Sequence, residues 1–335
     1  MKEKKKWSRI FQHEQFTLVL TLLAICILMS LLSDKFLTSG NLTNVLRQAS
    51  QIGICAIGMT MVILLGGIDL SVGSVQGLAG VAAVVVLNQT GSVCLGIIMG
   101  VLVGAVVGFM NSLIITKMNI TPLICTLGTM SIISGTALVA TKAMSFQVTN
   151  KTYMHIGIGR IGSIPIPVII LAVLVVVFYF ILNHTVYGRY IYAIGGNKES
   201  SALAGIPVNK IIIITYTISG MLTGAAAVIL SARMASGQPT AGTGFEMTVI
   251  AAVIIGGVSL SGGRGSLGGA MLGVLTLYVL TNGMVLLDVS SFWQDIVRGA
   301  LIILAVYIDG KRQVRTARKL TQARFEVNEE KQSEV

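Results

Sequence analysis

The sequence predicts an all-α fold, a polytopic transmembrane bundle of about ten helices, and three observations carry that expectation. Of the 335 residues, 54% are hydrophobic and 11% are charged, against roughly a quarter charged in an ordinary soluble domain. The apolar residues come in unbroken runs, several as long as the roughly 17–25 residues a helix needs to cross about 30 Å of hydrocarbon, whereas core helices of soluble proteins carry only a stripe. The lysines and arginines fall in the gaps between runs and at the two ends. The net charge of +11 therefore reads as membrane orientation and not as a phosphate-binding face, and no nucleic-acid partner is expected.

The first run, Phe16 to Leu32, follows a basic opening of Lys2, Lys4, Lys5, Lys6 and Arg9 and exits through Ser33-Asp34-Lys35. It lacks a small-residue cleavage pattern, so it reads as a retained helix and not as a secretory signal. Runs at 44–65, 74–88, 93–115, 121–141, 164–183, 211–233, 246–258, 267–287 and 293–309 bring the total to ten. An even number places both termini on one side. Of the 24 lysines and arginines, that side receives seventeen and the other six, with Arg298 inside the last run; the positive-inside rule makes it the cytoplasmic side. Residues 1–15 are then a basic cytoplasmic N-terminus, 16–310 the membrane domain, and 311–335 a charged cytoplasmic tail too poor in apolar residues to fold. The largest outer loop spans 142–163 and the largest inner loop about 184–210.

Two glycine-rich stretches echo one another. GGIDLSVG, Gly66 to Gly73, matches GGVSLSGG, Gly256 to Gly263, at six of eight positions when Ile68 is counted with Val258. Both follow an apolar run and face the same side, which suggests a parallel duplicated element with broken or re-entrant segments. Glycine pairs are natural breaking points, and Gly66, Gly67, Gly256 and Gly257 are candidate hinges. A break at membrane depth frees backbone polar groups, which only protein or water can satisfy. Asp69 sits in the first break, where a carboxylate facing lipid would cost about 2.5–3.5 kcal/mol. It either caps the next helix with Ser71 and Ser74 or lines a solute path together with Ser71.

Other polar residues interrupt apolar surroundings. SGQPTAGTGFE, Ser236 to Glu246, links the seventh and eighth runs; Gln238, Thr240, Thr243 and Glu246 offer hydrogen bonds to a polyhydroxyl solute and Phe245 a ring for stacking, the alternative being an ordinary outer turn with Glu246 at a helix N-terminus. Asn111 and Asn282 either bridge helices or touch solute. Asp295 and Arg298, three apart, neutralise one another, and Trp293 is an interfacial anchor.

Several chemistries are excluded. Gly263-Arg264-Gly265-Ser266-Leu267-Gly268 fits GxGxxG, but its flanks are membrane helices and not a βαβ unit. No GxxxxGK[ST] loop occurs, so any nucleotide hydrolysis that drives the chain belongs to another polypeptide and no cofactor is expected on this one. The four cysteines lie inside apolar runs without metal-ligand spacing, and His13, His155 and His184 are scattered, so neither a metal site nor a catalytic constellation is expected.

From about Phe16 to Arg312 the sequence resembles the permease subunits of bacterial ABC importers for monosaccharides, most closely the ribose type. GGIDLSVG at 66–73, GRYIYAIGGNKESSALAGIPVNK at 188–210, ARMASGQPTAGTGFE at 232–246 and VSSFWQ at 289–294 carry the resemblance. It implies a bacterial inner-membrane protein, a pore made with a second copy of the permease, a cytoplasmic ABC ATPase that holds the ATP and magnesium, and an extracytoplasmic sugar-binding protein. Permeases of this kind dock a short inner-loop helix into the ATPase, often through Glu-Ala-Ala, three residues, then Gly. Glu199 and Gly205 keep that spacing while Ser200 and Ser201 replace the alanines; Gly195, Asn197, Ala202 and Ala204 complete the expected coupling surface. The same machinery serves other sugars, nucleosides, autoinducer-like sugars or branched-chain amino acids in related permeases. An ion-coupled secondary transporter is the remaining alternative, and it would call for more membrane-embedded acids than this chain has.

Overall fold

The computed structural model describes residues 14–307 and 309–311; the basic opening at 1–13 and the tail from 312 lie outside the described residues. The chain runs α1 (Glu14–Leu32), α2 (Ser39–Leu64), α3 (Val72–Thr90), α4 (Val93–Lys117), α5 (Pro122–Thr141), β1 (Phe146–Gln147), α6 (Lys151–Ile158), β2 (Arg160–Ile161), β3 (Ile164–Pro165), α7 (Ile166–His184), α8 (Val186–Gly196), α9 (Lys198–Leu203), α10 (Val208–Met234), β4 (Ser236–Gly237), α11 (Phe245–Ile255) and α12 (Leu267–Leu286). A last apolar helix, α13, spans Ser291–Lys311. Among the described residues, nine helices are long and apolar enough to cross a membrane, so the polytopic helical bundle read from the sequence is the fold observed.

Local chemistry sets the helix ends. Thr38, Ser92 and Ser266 accept hydrogen bonds from the backbone N–H groups of Asn41, Leu95 and Gly269, closing the first turns of α2, α4 and α12. Pro122 opens α5, where its missing N–H costs nothing. Gly91 in the left-handed region stops α3.

Small residues decide which helices meet. On α4, Gly100, Gly104 and Gly108 lie against α10: a Cβ on Gly104 would strike the carbonyl oxygen of Gly220, and one on Gly220 that of Gly104. Backbone approach of this closeness is how helices associate in lipid, where the hydrophobic effect does not drive them together. α2, α3 and α10 form the interior, α4 buries only the face it turns to α3 and α10, and α1, α5, α7 and α13 present Leu31, Val139, Val176 and Ile303 outward, each more than two-thirds exposed.

Loops segregate to two ends. At the near end, where α1 begins, Gln15 donates to Ser266 Oγ at 3.0 Å. At the far end, β1 pairs antiparallel with β4, Phe146 opposite Gly237. There α6 packs under the loop with Tyr153 fully buried and its hydroxyl 2.7 Å from Ser231 Oγ; burial pushes that phenol up to about 12.

The eighth crossing departs from the sequence reading. The run 246–258 was expected to be a spanning helix, but α11 has eleven residues, a rise of about 16 Å or half the hydrocarbon thickness. Hydropathy is continuous across the run; Gly256 and Gly257 end the helix early. The other half of the crossing is the link 236–244. A Cβ on Gly237 would lie 3.0 Å from Val81 Cα, one on Gly77 3.0 Å from the Pro239 carbonyl carbon, and one on Gly242 2.8 Å from the Gly73 carbonyl carbon. The link therefore descends antiparallel to α3, from that helix's middle to its first turn, and is not an outer turn. Gly96 meets Ala83 and Gly100 meets Ala79, so at equal rise the first turn of α3 stands opposite residues 104–107, the middle of α4.

Candidate functional site

The first break places polar groups inside the bundle. α2 ends as Gly66 N–H reaches Ile63 O at 2.8 Å and Gly67 N–H reaches Val62 O at 3.0 Å, a Schellman closure with Gly66 at φ +80°. α11 ends the same way: Gly257 bonds Ile254 O and Val258 bonds Val253 O, with Gly257 at φ +84°. In geometry the echo is thus offset by one residue, Gly66 answering Gly257. The four candidate hinge glycines divide into two kinds. Gly66 and Gly257 supply the left-handed backbone, while Gly67 and Gly256 supply room: a Cβ on Gly67 would collide with the Tyr216 hydroxyl, and one on Gly256 would lie 2.6 Å from Ala270 Cα.

Beyond Gly67 the chain stays non-helical to Ser71, and its free polar groups find partners. Asp69, 2% exposed, accepts from Ser71 N–H at 2.9 Å and Ser71 Oγ at 2.6 Å. Asn111, fully buried, donates to Ser71 Oγ at 2.9 Å. Thr126 Oγ1 and Tyr216 OH reach the Ile68 carbonyl at 3.2 and 3.4 Å. Asp69 thus braces the turn into α3, and Asn111 ties it to α4.

The other expected residues lie in three places. Gln238 and Phe245 are half-buried on the descending link or at its foot, Thr240 and Thr243 are exposed, and Glu246 is 8% exposed against Gly73. Asn282 exchanges hydrogen bonds with Asn41 at 2.9 Å in both directions, joining α12 to α2. Arg298 pairs with Asp295 at 3.0 Å.

At the near end the loop read from the sequence as the inner one folds into α8 and α9. Asn197 accepts from Ser200 N–H at 2.7 Å and caps α9. Ser201 turns inward, 5% exposed, with its hydroxyl on the Asn197 carbonyl at 2.8 Å. Glu199, Ala202, Ala204 and Gly205 face outward, and Leu203 is 90% exposed. A groove of about 600 Å³ runs beside Glu199, Ala202, Pro207 and Lys210. A second cavity, about 410 Å³, opens between α1, α11, α12 and α13 and includes Gly257, Ser259 and Arg264.

Both breaks and the inner loop converge. Gly263 N–H donates to Leu64 O at 2.8 Å. A Cβ on Gly195 would strike Leu64 O and come within 2.5 Å of Gly263 N; one on Gly262 would lie 2.8 Å from Gly66 N and 2.9 Å from Gly195 O. Three backbone segments therefore touch with no side chain between them, and Tyr192 holds α8 in place through Gly265 O at 3.0 Å.

Sequence reasoning missed Gln76, Tyr216 and Leu203. Tyr216 and Leu203 sit in ordinary-looking patterns, but Gln76, an amide in an apolar run, carried a readable signal. No group of three or more metal-binding side chains occurs among the described residues.

Comparisons with known proteins place this geometry. A family described as the permease component of the branched-chain amino acid transport system matches residues 41–306. The ribose import permease protein RbsC of Escherichia coli strain K12 is 40% identical over 314 residues, 92% of this chain and 98% of that one. RbsC of Bacillus subtilis strain 168 is 41% identical, covering 88% and 92%, and the L-arabinose ABC transporter permease protein AraH of Azospirillum brasilense is 37% identical, covering 90% of each. No solved structure matches. With four-fifths of its length inside one family's boundaries and near-complete alignment to these permeases, the chain is a multi-pass membrane protein that belongs to that permease-component family.

Proposed function

We propose that this chain is the membrane subunit of an ATP-driven ABC importer, forming with a second copy the path for a monosaccharide, ribose before others. The observation that carries the proposal is the 38–41% identity to ribose import permeases over nearly the whole chain. The L-arabinose permeases stand at 35–37%, which makes another pentose the second reading.

Both termini are cytoplasmic, as the excess of Lys and Arg on the near side argues. The chain hydrolyses nothing: ATP and magnesium belong to a cytoplasmic ATPase that docks on α9, with Leu203 as the exposed apolar contact and the neighbouring groove receiving its surface. A sugar-binding protein delivers cargo to the far end, and the membrane domain spans 16–310. Nucleotide binding biases one helix arrangement over the other, and the backbone junction of Leu64, Gly195 and Gly263 supports a direct route from the inner loop to both breaks.

The test is uptake of labelled ribose into vesicles containing this chain, its ATPase and its binding protein. Uptake that needs ATP and all three components, and that ribose saturates ahead of arabinose and hexoses, is expected. Uptake by the isolated chain under an ion gradient refutes the proposal.

A further inference from the structure

Gln76 lies on α3 at 1% exposure, and neither its amide nitrogen nor its amide oxygen has a hydrogen-bond partner. An unpaired buried amide is costly, and native structures rarely keep one without a use. Gly73 and Gly77, on either side of Gln76, are where the descending link touches α3: a Cβ on Gly73 would strike the Glu246 carboxylate and the Gly242 carbonyl, and one on Gly77 the Pro239 carbonyl. A Cβ on Gly242 would lie 3.0 Å from Gln76 Cβ. Gln76 is thus buried where its Cβ packs under an extended, glycine-rich crossing half that ends at the start of a half-length helix. Non-helical backbone at membrane depth is tolerated where it packs on protein or borders a polar cavity, and interrupted helices near mid-membrane form the solute sites of transporters.

We infer that Gln76 is a solute-contacting residue, exposed to the cargo when the link 238–244 swings off α3, and that it reads a pair of neighbouring hydroxyls. A side-chain amide has two donors and an acceptor, and a vicinal diol offers both in return. The inference rests on the transport reading above and adds the residue that reads the sugar within the membrane.

The test is Gln76→Leu in the assembled transporter, with thermal unfolding and labelled-ribose uptake measured side by side. Leucine fills a similar volume and removes the orphan amide, so the variant should melt at or above the native temperature. Its uptake should fall at least roughly tenfold, the factor for one lost hydrogen bond to a solute, with ATP hydrolysis retained. Uptake equal to the native value overturns the inference, and so does a melting point several degrees lower, which would make the amide a structural brace. If the native complex itself fails to move ribose, the transport reading falls instead.

Discussion

Gly195→Ala is the sharpest test of the near-end junction, because its neighbour supplies the control. A Cβ at 195 would strike the Leu64 carbonyl oxygen, lie 2.5 Å from Gly263 N and 2.9 Å from the Leu64 carbonyl carbon. All three are backbone atoms, so no side chain can rotate away, and relief means pushing α8 off the ends of α2 and the second break. Overpacking of this kind costs about 1–3 kcal/mol, and separating Gly263 N–H from Leu64 O, now 2.8 Å apart, adds about 1 kcal/mol. A loss of roughly 2–4 kcal/mol is expected, together with ATP hydrolysis that no longer drives uptake. At Gly196 a Cβ meets nothing within 4 Å, so Gly196→Ala should stay within about 0.5 kcal/mol of native. The measurements are thermal unfolding in detergent and ATP-dependent uptake in vesicles. Equal behaviour of the two variants would show that the three segments do not bear on one another.

Further outcomes follow from the same geometry. Gly67→Ala should destabilise through the Tyr216 hydroxyl, and Tyr216→Phe in the same chain should restore part of the loss; a double-mutant cycle with no coupling refutes this contact. Gly66→Ala has room, its nearest neighbour being Ser261 O at 3.8 Å, so it pays only the left-handed backbone cost of about 1 kcal/mol. Bulkier residues at Gly66 or Gly257 should insert normally yet abolish uptake, and normal uptake in both removes the hinge role. Leu203→Ser, at a side chain 90% exposed, should leave the melting temperature unchanged while ATPase binding, measured by co-purification, weakens at least tenfold. Asn111→Leu removes the 2.9 Å donor to Ser71 Oγ while the bond of that hydroxyl to Asp69 stays, and should cost about 0.5–1.5 kcal/mol; an unchanged melting temperature would show that this tie carries no stability.

The spans were legible because a membrane helix needs only length and apolarity, both printed in the sequence. The α4–α10 pairing rests on Gly100, Gly104 and Gly108, a four-residue spacing equally present in the sequence. What hydropathy does not carry is backbone path. Residues 246–258 read as one more span, and only the Gly256–Gly257 closure shows that α11 is half a helix. SGQPTAGTGFE reads as a connector because polar, glycine-rich segments usually are; its descent depends on Gly73 and Gly77 being bare enough to admit it. Asp69 and Asn111 were visible as oddities, but their meeting at Ser71 depends on where α3 begins. The offset between Gly66 and Gly257 escapes a residue-by-residue match because Schellman closures count from the helix end.

The link is fastened at both ends. Its top is stitched to Phe146 and Gln147 by the β1–β4 ladder, and its foot is the first turn of α11, so it is a strap of fixed length whose slack lies between 238 and 244. Such a strap can bow but cannot slide. Lengthening or shortening it by one residue would pull Glu246 out of line with Gly73 or unpick the ladder, so the scaffold tolerates exchange of side chains along the strap but not insertion into it.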